Sequence, residues 1–272
     1  MNSTAPLFLS LVLLAFVPAC EADAPPMINP TGQDGQLSAD TSIDDILDAL
    51  DQRGKNLKDF RADVTLTETA NDTGDNFSRT GTVAFQRQKD GASRLHVVFD
   101  KKLTGNQVQN EKLEYLLENG WLTDRNYLKK SEVRRQILKP GEKIDIIKLG
   151  EGPFPLPIGQ DKSEVHKYFD VKKLQPNKSD PAAPADAPTL HLQLIPKPKG
   201  DFARKFHHID VWVDPKTHFP IRIETVDANQ TVTRTTDLQK VQVNSDLKDK
   251  EFALPDISKD NWDRAEEPYS DK

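Results

Sequence analysis

The feature that most restricts what this chain can fold into is a run of hairpins in its last third, from His208 to Pro255. Apolar residues alternate there around turn chemistry at Asp214-Pro215 and Asp227-Ala228-Asn229, which reads as strand, tight turn, strand, tight turn, strand. Ile209, Val211 and Val213 share one face. Ile221 and Ile223 recur at the same period of two, and the Thr-Val-Thr-Arg-Thr-Thr run after Asn229 supplies β-branched residues suited to a pleated, half-wet surface. Such a meander needs a long antiparallel sheet to join.

Upstream, the pattern repeats. Phe60, Ala62, Val64 and Leu66 alternate with Arg61, Asp63, Thr65 and Thr67, and the alternation resumes at Val83 and Phe85, at Leu95, Val97 and Phe99, and at Leu113, Tyr115 and Leu117. Asn119-Gly120 is a strong hairpin signal. Trp121 and Leu122 start the returning strand, and Val133, Ile137 and Leu138 suggest a sixth. Before these strands, the capping spacing Ser42-x-x-Asp45 precedes a helical stripe of Ile43, Ile46, Leu47 and Leu50, so an amphipathic helix is expected to about Gly54. The absence of a sustained βαβ rhythm argues against nucleotide-binding α/β folds.

The ordered turns carry a resemblance. An Ile-Asp strand, a D-P-K-T turn, a strand opening at Pro220, a D-A-N-Q-T turn and the ending N-S-D-L-K-D-K-E-F-A-L-P resemble the bacterial outer-membrane lipoprotein carrier family, with its soluble periplasmic carrier and its membrane-anchored receptor. The resemblance extends over roughly residues 42–258. It implies a mainly β (α+β) fold: a curved, incomplete antiparallel barrel of about eleven strands, with helices covering the concave side over a cavity for acyl chains.

The ends of the chain read differently. Leu7 to Val17 is an apolar run of 11 residues, short of the about 20 that span a bilayer and suited to a secretory signal. Residues 1–19 are therefore read as a signal peptide. It ends at Val17-Pro18-Ala19-Cys20, similar to bacterial lipoprotein signals, in which the cysteine is diacylated and the chain is cut before it. Ordinary cleavage after Ala19, or after Ala22-Asp23-Ala24, is the alternative. Cys20 is the chain's single cysteine, so it cannot form an intramolecular disulfide, and lipidation gives it a role. Residues 20–41, rich in Pro and Gly, read as a tether, 42–258 as the folded domain, and 259–272 as a polar tail that trails or lies across the surface.

The middle of the chain breaks the rhythm. Ile146 and Ile147 precede Gly150-Glu151-Gly152-Pro153-Phe154-Pro155-Leu156-Pro157-Ile158-Gly159, where three prolines forbid a central strand and leave a stiff, apolar segment. It is expected as a lid built on Ile146, Ile147, Phe154, Leu156 and Ile158, or as plain core closure. The Pro- and Ala-rich stretch 176–188 reads as a solvated loop.

Motifs of chemistry are sparse. Lys plus Arg total 37 against 43 Asp plus Glu, a net charge of −6 spread along the chain, and the basic patch of a nucleic-acid binder is not written here. There is no G-x-S-x-G, Walker loop, G-x-G-x-x-G or H-E-x-x-H. His96, His166, His191 and His218 are scattered singly, and adjacent His207 and His208 would point to opposite faces. Glu111 and Glu114 read as exposed carboxylates at a strand start. The expectation is a non-catalytic, monomeric binding protein without cofactor or metal. It would be exported to the cell envelope, face the periplasm, and be held to the membrane through Cys20. Its partners would be lipoproteins or phospholipid acyl chains, taken into a cavity walled by Leu95, Val97, Phe99, Leu113, Tyr115 and Leu117 for lipoprotein sorting. An envelope stress-sensing module of the same fold is the alternative, and a cell-envelope hydrolase a more distant one. The anchored receptor of the resembled family carries an apolar residue on a protruding loop between its third and fourth strands; here that position falls in 100–110, where the resemblance puts Leu103 or Val108 in the part and a plain hairpin loop with a packed leucine is the alternative.

Overall fold

The computed structural model describes residues 35–270, apart from 90, 140, 143–157, 182–187 and 199. Helix α1 (Ile43–Lys55) opens the fold. Ser42 caps it as the spacing predicts: its Oγ accepts from the Asp45 amide at 3.2 Å and donates to the Asp45 carboxylate at 2.6 Å. Six strands follow in order, β1 (Asp59–Ala70), β2 (Asn76–Arg87), β3 (Ser93–Thr104), β4 (Gln107–Glu118), β5 (Trp121–Asn126) and β6 (Ser131–Gln136). Helix α2 (Lys162–Tyr168) leads into β7 (Phe169–Leu174) and β8 (Leu190–Pro196), and the short α3 (Asp201–Lys205) into β9 (Phe206–Val213), β10 (Pro220–Asp227) and β11 (Val232–Val243). The chain closes with a 3-10 turn at Asp249–Phe252 and β12 (Asp263–Glu267).

Among the described residues these strands form one open sheet of order β12-β6-β5-β4-β3-β2-β1-β11-β10-β9-β8-β7. Two meanders therefore meet where β11 returns to pair with β1, from Phe60↔Val243 to Ala70↔Val232. Neighbours are antiparallel except at one edge, where β12 runs parallel to β6. This is the open, incomplete barrel that the resemblance implies, with twelve strands where about eleven are expected. The twelfth lies in the polar tail, and Trp262 just before it packs edge-on against Tyr127, with centroids 5.0 Å apart.

The period of two decides which side is buried. Phe60, Ala62 and Val64 of β1, Phe85 of β2, Leu95, Val97 and Phe99 of β3, and Ile209, Val211 and Val213 of β9 join Ile46, Leu47 and Leu50 of α1 in one core. The side facing α1 is the inner face. Within it Phe60 is wholly buried, stacking on Phe85 at 5.6 Å and meeting Phe219 edge-on at 5.3 Å.

The chain enters α2 under close constraint. Gly159, with φ +73°, donates its amide to the Leu50 carbonyl at 3.2 Å, and a Cβ on Gly54 would fall 2.0 Å from the Gly159 Cα. Only hydrogen side chains permit that approach.

Candidate functional site

The inner face divides into two regions. Over β8 and β9, helices α1 and α2 fill the surface closely, and the hollow among Leu47, Leu50, Val165, Leu192, Leu194 and Val211 measures about 20 Å³. Over β1, β2, β3 and β11 the packing is looser. Phe60, Val64 and Leu66 of β1, Val83 of β2, Leu95, Val97 and Phe99 of β3, and Thr236 and Leu238 of β11 line a hollow of about 40 Å³. Thr236 brings the one hydroxyl to this lining, so the chemistry available there is burial of hydrocarbon.

Three of the six residues expected as cavity wall, Leu95, Val97 and Phe99, line that hollow. Leu113 and Leu117 are buried in the same core, and Tyr115 packs against it with its ring 6.4 Å from Phe99. Burial pushes the Tyr115 phenol above its ordinary value, aided by the Asp124 charge. Of the expected lid, Ile146, Ile147, Phe154 and Leu156 lie outside the described residues. Ile158 is fully buried in the core beside α1.

The outer face carries what the sequence did not announce. Residues 244–262 run across β2 to β5 as a strap, with Phe252, Leu247 and Leu254 packing on Ala84 and Leu116. Beneath it, Glu114 is 2% exposed, so the expectation of a solvated carboxylate fails. Its oxygens receive His96 Nε2 at 3.0 Å and the Tyr127 hydroxyl. His96 Nδ1 lies 2.6 Å from the Glu251 carbonyl of the strap. Both ring nitrogens therefore face oxygen atoms, one on the strap and one on β4. Burial raises the Glu114 pKa, but the hydrogen bonds from His96 and Tyr127 outweigh it and hold the carboxyl below its usual range. Burial, then the bond to Glu114, pushes the Tyr127 phenol up to about 12. Arg125 fixes the strap's far end, donating to Glu132 at 2.6 Å and to the Pro255 carbonyl at 2.7 Å.

A second polar cluster lies on the outer side of β8 and β9. His191 Nε2 is 2.7 Å from Asp210 Oδ1, His208 Nε2 is 3.1 Å from Asp210 Oδ2, and the His191 ring stacks on Trp212 at 4.1 Å. Trp212 Nε1 in turn donates to Asp180 at 2.8 Å. The loop expected as solvated at 176–188 is thus pinned at its near end by the half-buried Asp180. Among the described residues, no group of three or more His, Cys, Asp or Glu is placed to hold a metal ion, and no helix is long and apolar enough to cross a membrane. A groove of about 500 Å³ beside Trp121 and Leu254 is bordered by Arg125 and Arg134, but both cations are already paired, with Glu132 and Glu266.

Fold and site together define an open, mainly antiparallel half-barrel with an apolar interior. No family model matches the chain, and no curated protein matches it by sequence. Among solved structures it is similar to MucB of the Pseudomonas aeruginosa MucA/MucB complex, at 13% identity and a TM-score of 0.45, covering 78% of this chain and 60% of that one. This chain thus spans about three fifths of MucB. An uncharacterised conserved protein from Thermus thermophilus gives 10% identity and a TM-score of 0.45, covering 81% of this chain and 96% of that one. A LolA superfamily protein from Nitrosomonas europaea gives 12% and 0.31, covering 77% and 96%. Values this low leave function to be argued from the site itself.

Proposed function

We propose that this chain is a non-catalytic binding protein that takes hydrocarbon chains, the acyl groups of lipids or lipoproteins, against the inner face of its half-barrel. The observation that carries this reading is the apolar hollow over β1, β2, β3 and β11. Each methylene moved there from water gains about 0.8 kcal/mol. At about 40 Å³, where one water needs about 10–15 Å³, the hollow at rest holds only a few atoms. A longer chain enters as side chains repack or a cover moves aside, and the apolar segment carrying Ile146, Ile147, Phe154 and Leu156 is the proposed cover.

The proposed setting is the cell envelope, with residues 1–19 removed and Cys20 lipidated, so that the domain faces the periplasm on its tether and serves lipoprotein sorting. The β3–β4 hairpin supports a membrane-facing form: Leu103 and Val108 stand opposite one another near its tip, 39% and 65% exposed.

Native mass spectrometry of the full chain purified from a membrane-containing host tests the reading. Co-purified acyl or phospholipid mass is expected, and a preparation that is empty and takes up no added fatty acid would sink it. Replacing Cys20 by Ser should move the protein out of the membrane fraction; recovery of both forms there counts against the anchor.

A further inference from the structure

The sheet has a seam. β10 pairs with β11 only from Arg222↔Asp237 to Val226↔Thr233, whereas β11 continues along β1 to Val243. Beyond Asp237 the two strands part. β11 is bent there by a bulge, in which Gln239 and Gln242 pair with Asp63 and Arg61 while Lys240 and Val241 lie between, and Lys240 takes φ +51°. Between the parted strands is a space of about 250 Å³ whose walls include Phe219, Ile221, Leu238, Val241 and Val243.

Two observations tie this space to the interior. Leu238 lines both it and the inner hollow. Phe219, on the seam side, meets Phe60, on the hollow side, edge to face at 5.3 Å. The side chains of Leu238, Phe219 and Phe60 therefore stand between the two spaces. The seam is also large enough for hydrocarbon, since an apolar cavity of about 150 Å³ accepts benzene. Asp214, Thr217, Gln239 and Lys240 complete its border, with the Lys240 ammonium 2.8 Å from Asp63 and largely in solvent.

We propose that this seam is a side port through which a single hydrocarbon chain enters the inner hollow, with Leu238 as the gate that closes behind it. The port rests on the lipid-binding reading above, and adds to it a path that does not pass beneath the proposed cover. An extended peptide pairing with the uncovered side of β11 is the rival occupant.

The test is stopped-flow uptake of cis-parinaric acid by the full chain, with pyrene-labelled phosphatidylcholine vesicles as a second donor to separate free fatty acid from membrane lipid as the source. Val241→Trp fills the port, Ile221→Phe narrows it more gently, and Val97→Trp fills the hollow. A port filled at Val241 should slow association and dissociation together, by roughly tenfold or more, leaving the equilibrium affinity nearly unchanged. Val97→Trp should weaken the affinity itself. Uptake by both port variants at the wild-type rate, with Val97→Trp weakened, removes the port and keeps lipid binding. No uptake by the wild type removes lipid binding, and the port falls with it. Protection of the Gln239–Val243 amides from hydrogen exchange by a bound polypeptide, with no effect of the probe there, would make the seam a strand-pairing edge and overturn the proposal.

Discussion

The same strands, β3 and β4, present two unlike surfaces. Inward they offer Leu95, Val97, Phe99, Leu113 and Leu117, and outward His96, Glu114 and Arg94. Both sides are buried, by different means. The inner side is closed by apolar contact, which tolerates a vacancy and can repack around a guest. The outer side is closed by hydrogen bonds to a strap from the far end of the sequence, which are directional and leave no slack. The proposed binding site lies on the surface that can yield, and the surface that cannot yield holds the strands in register behind it.

Breaking the inner side should cost most. Phe85→Ala removes a wholly buried ring stacked on Phe60 and is expected to destabilise by about 3–5 kcal/mol in denaturant melts. On the outer side, Glu114→Ala strands the donors of His96 and Tyr127 at a cost of about 1–3 kcal/mol. Amide exchange should rise in 244–262 in that variant, and a uniform rise across the sheet would mean that the strap is not the element released.

The two sides should also separate by pH. Glu114 is held below its ordinary pKa, so its contribution is present above the usual carboxylate range and lost as pH falls through the lowered value. Tyr127 is raised from 10.0 to about 12, so its contribution is complete below 10.0 and lost as pH climbs toward about 12. Ultraviolet titration should show a late-ionising tyrosine that Tyr127→Phe removes. The smallest effect is expected at the hairpin tip. Leu103→Asp and Val108→Asp should change stability by less than about 0.5 kcal/mol, while sharply reducing association with lipid vesicles.

What was legible beforehand follows the same division. Strands and inner residues could be read because a half-buried strand writes its burial into a period of two, and the turns at Asp214-Pro215 and Asp227-Ala228-Asn229 set the hairpins. Asn119-Gly120 takes the positive φ values, +53° and +77°, that its hairpin requires. The outer clusters were not legible, since alternation marks Glu114, His96 and Asp210 as solvent-facing. Their covers arrive from elsewhere: the Glu251 carbonyl comes to His96 from 155 residues away, and Asp180 to Trp212 from 32. The seam was equally hidden, because propensity says that β10 and β11 are strands but not where they cease to touch.

The twelfth strand has a further consequence. β12 presents Asp263, Arg264, Glu266 and Glu267 along the border of the sheet, all exposed, and Arg134 and Arg135 of β6 are tied to Glu266 and Glu267 at 3.0 and 2.8 Å. A bare β6 would offer neighbouring molecules a ready template for stacking strand on strand. The short β12 finishes that border with exposed charge, hem-stitched to β6 by the two arginine–glutamate pairs, in place of a bare row of strand donors and acceptors.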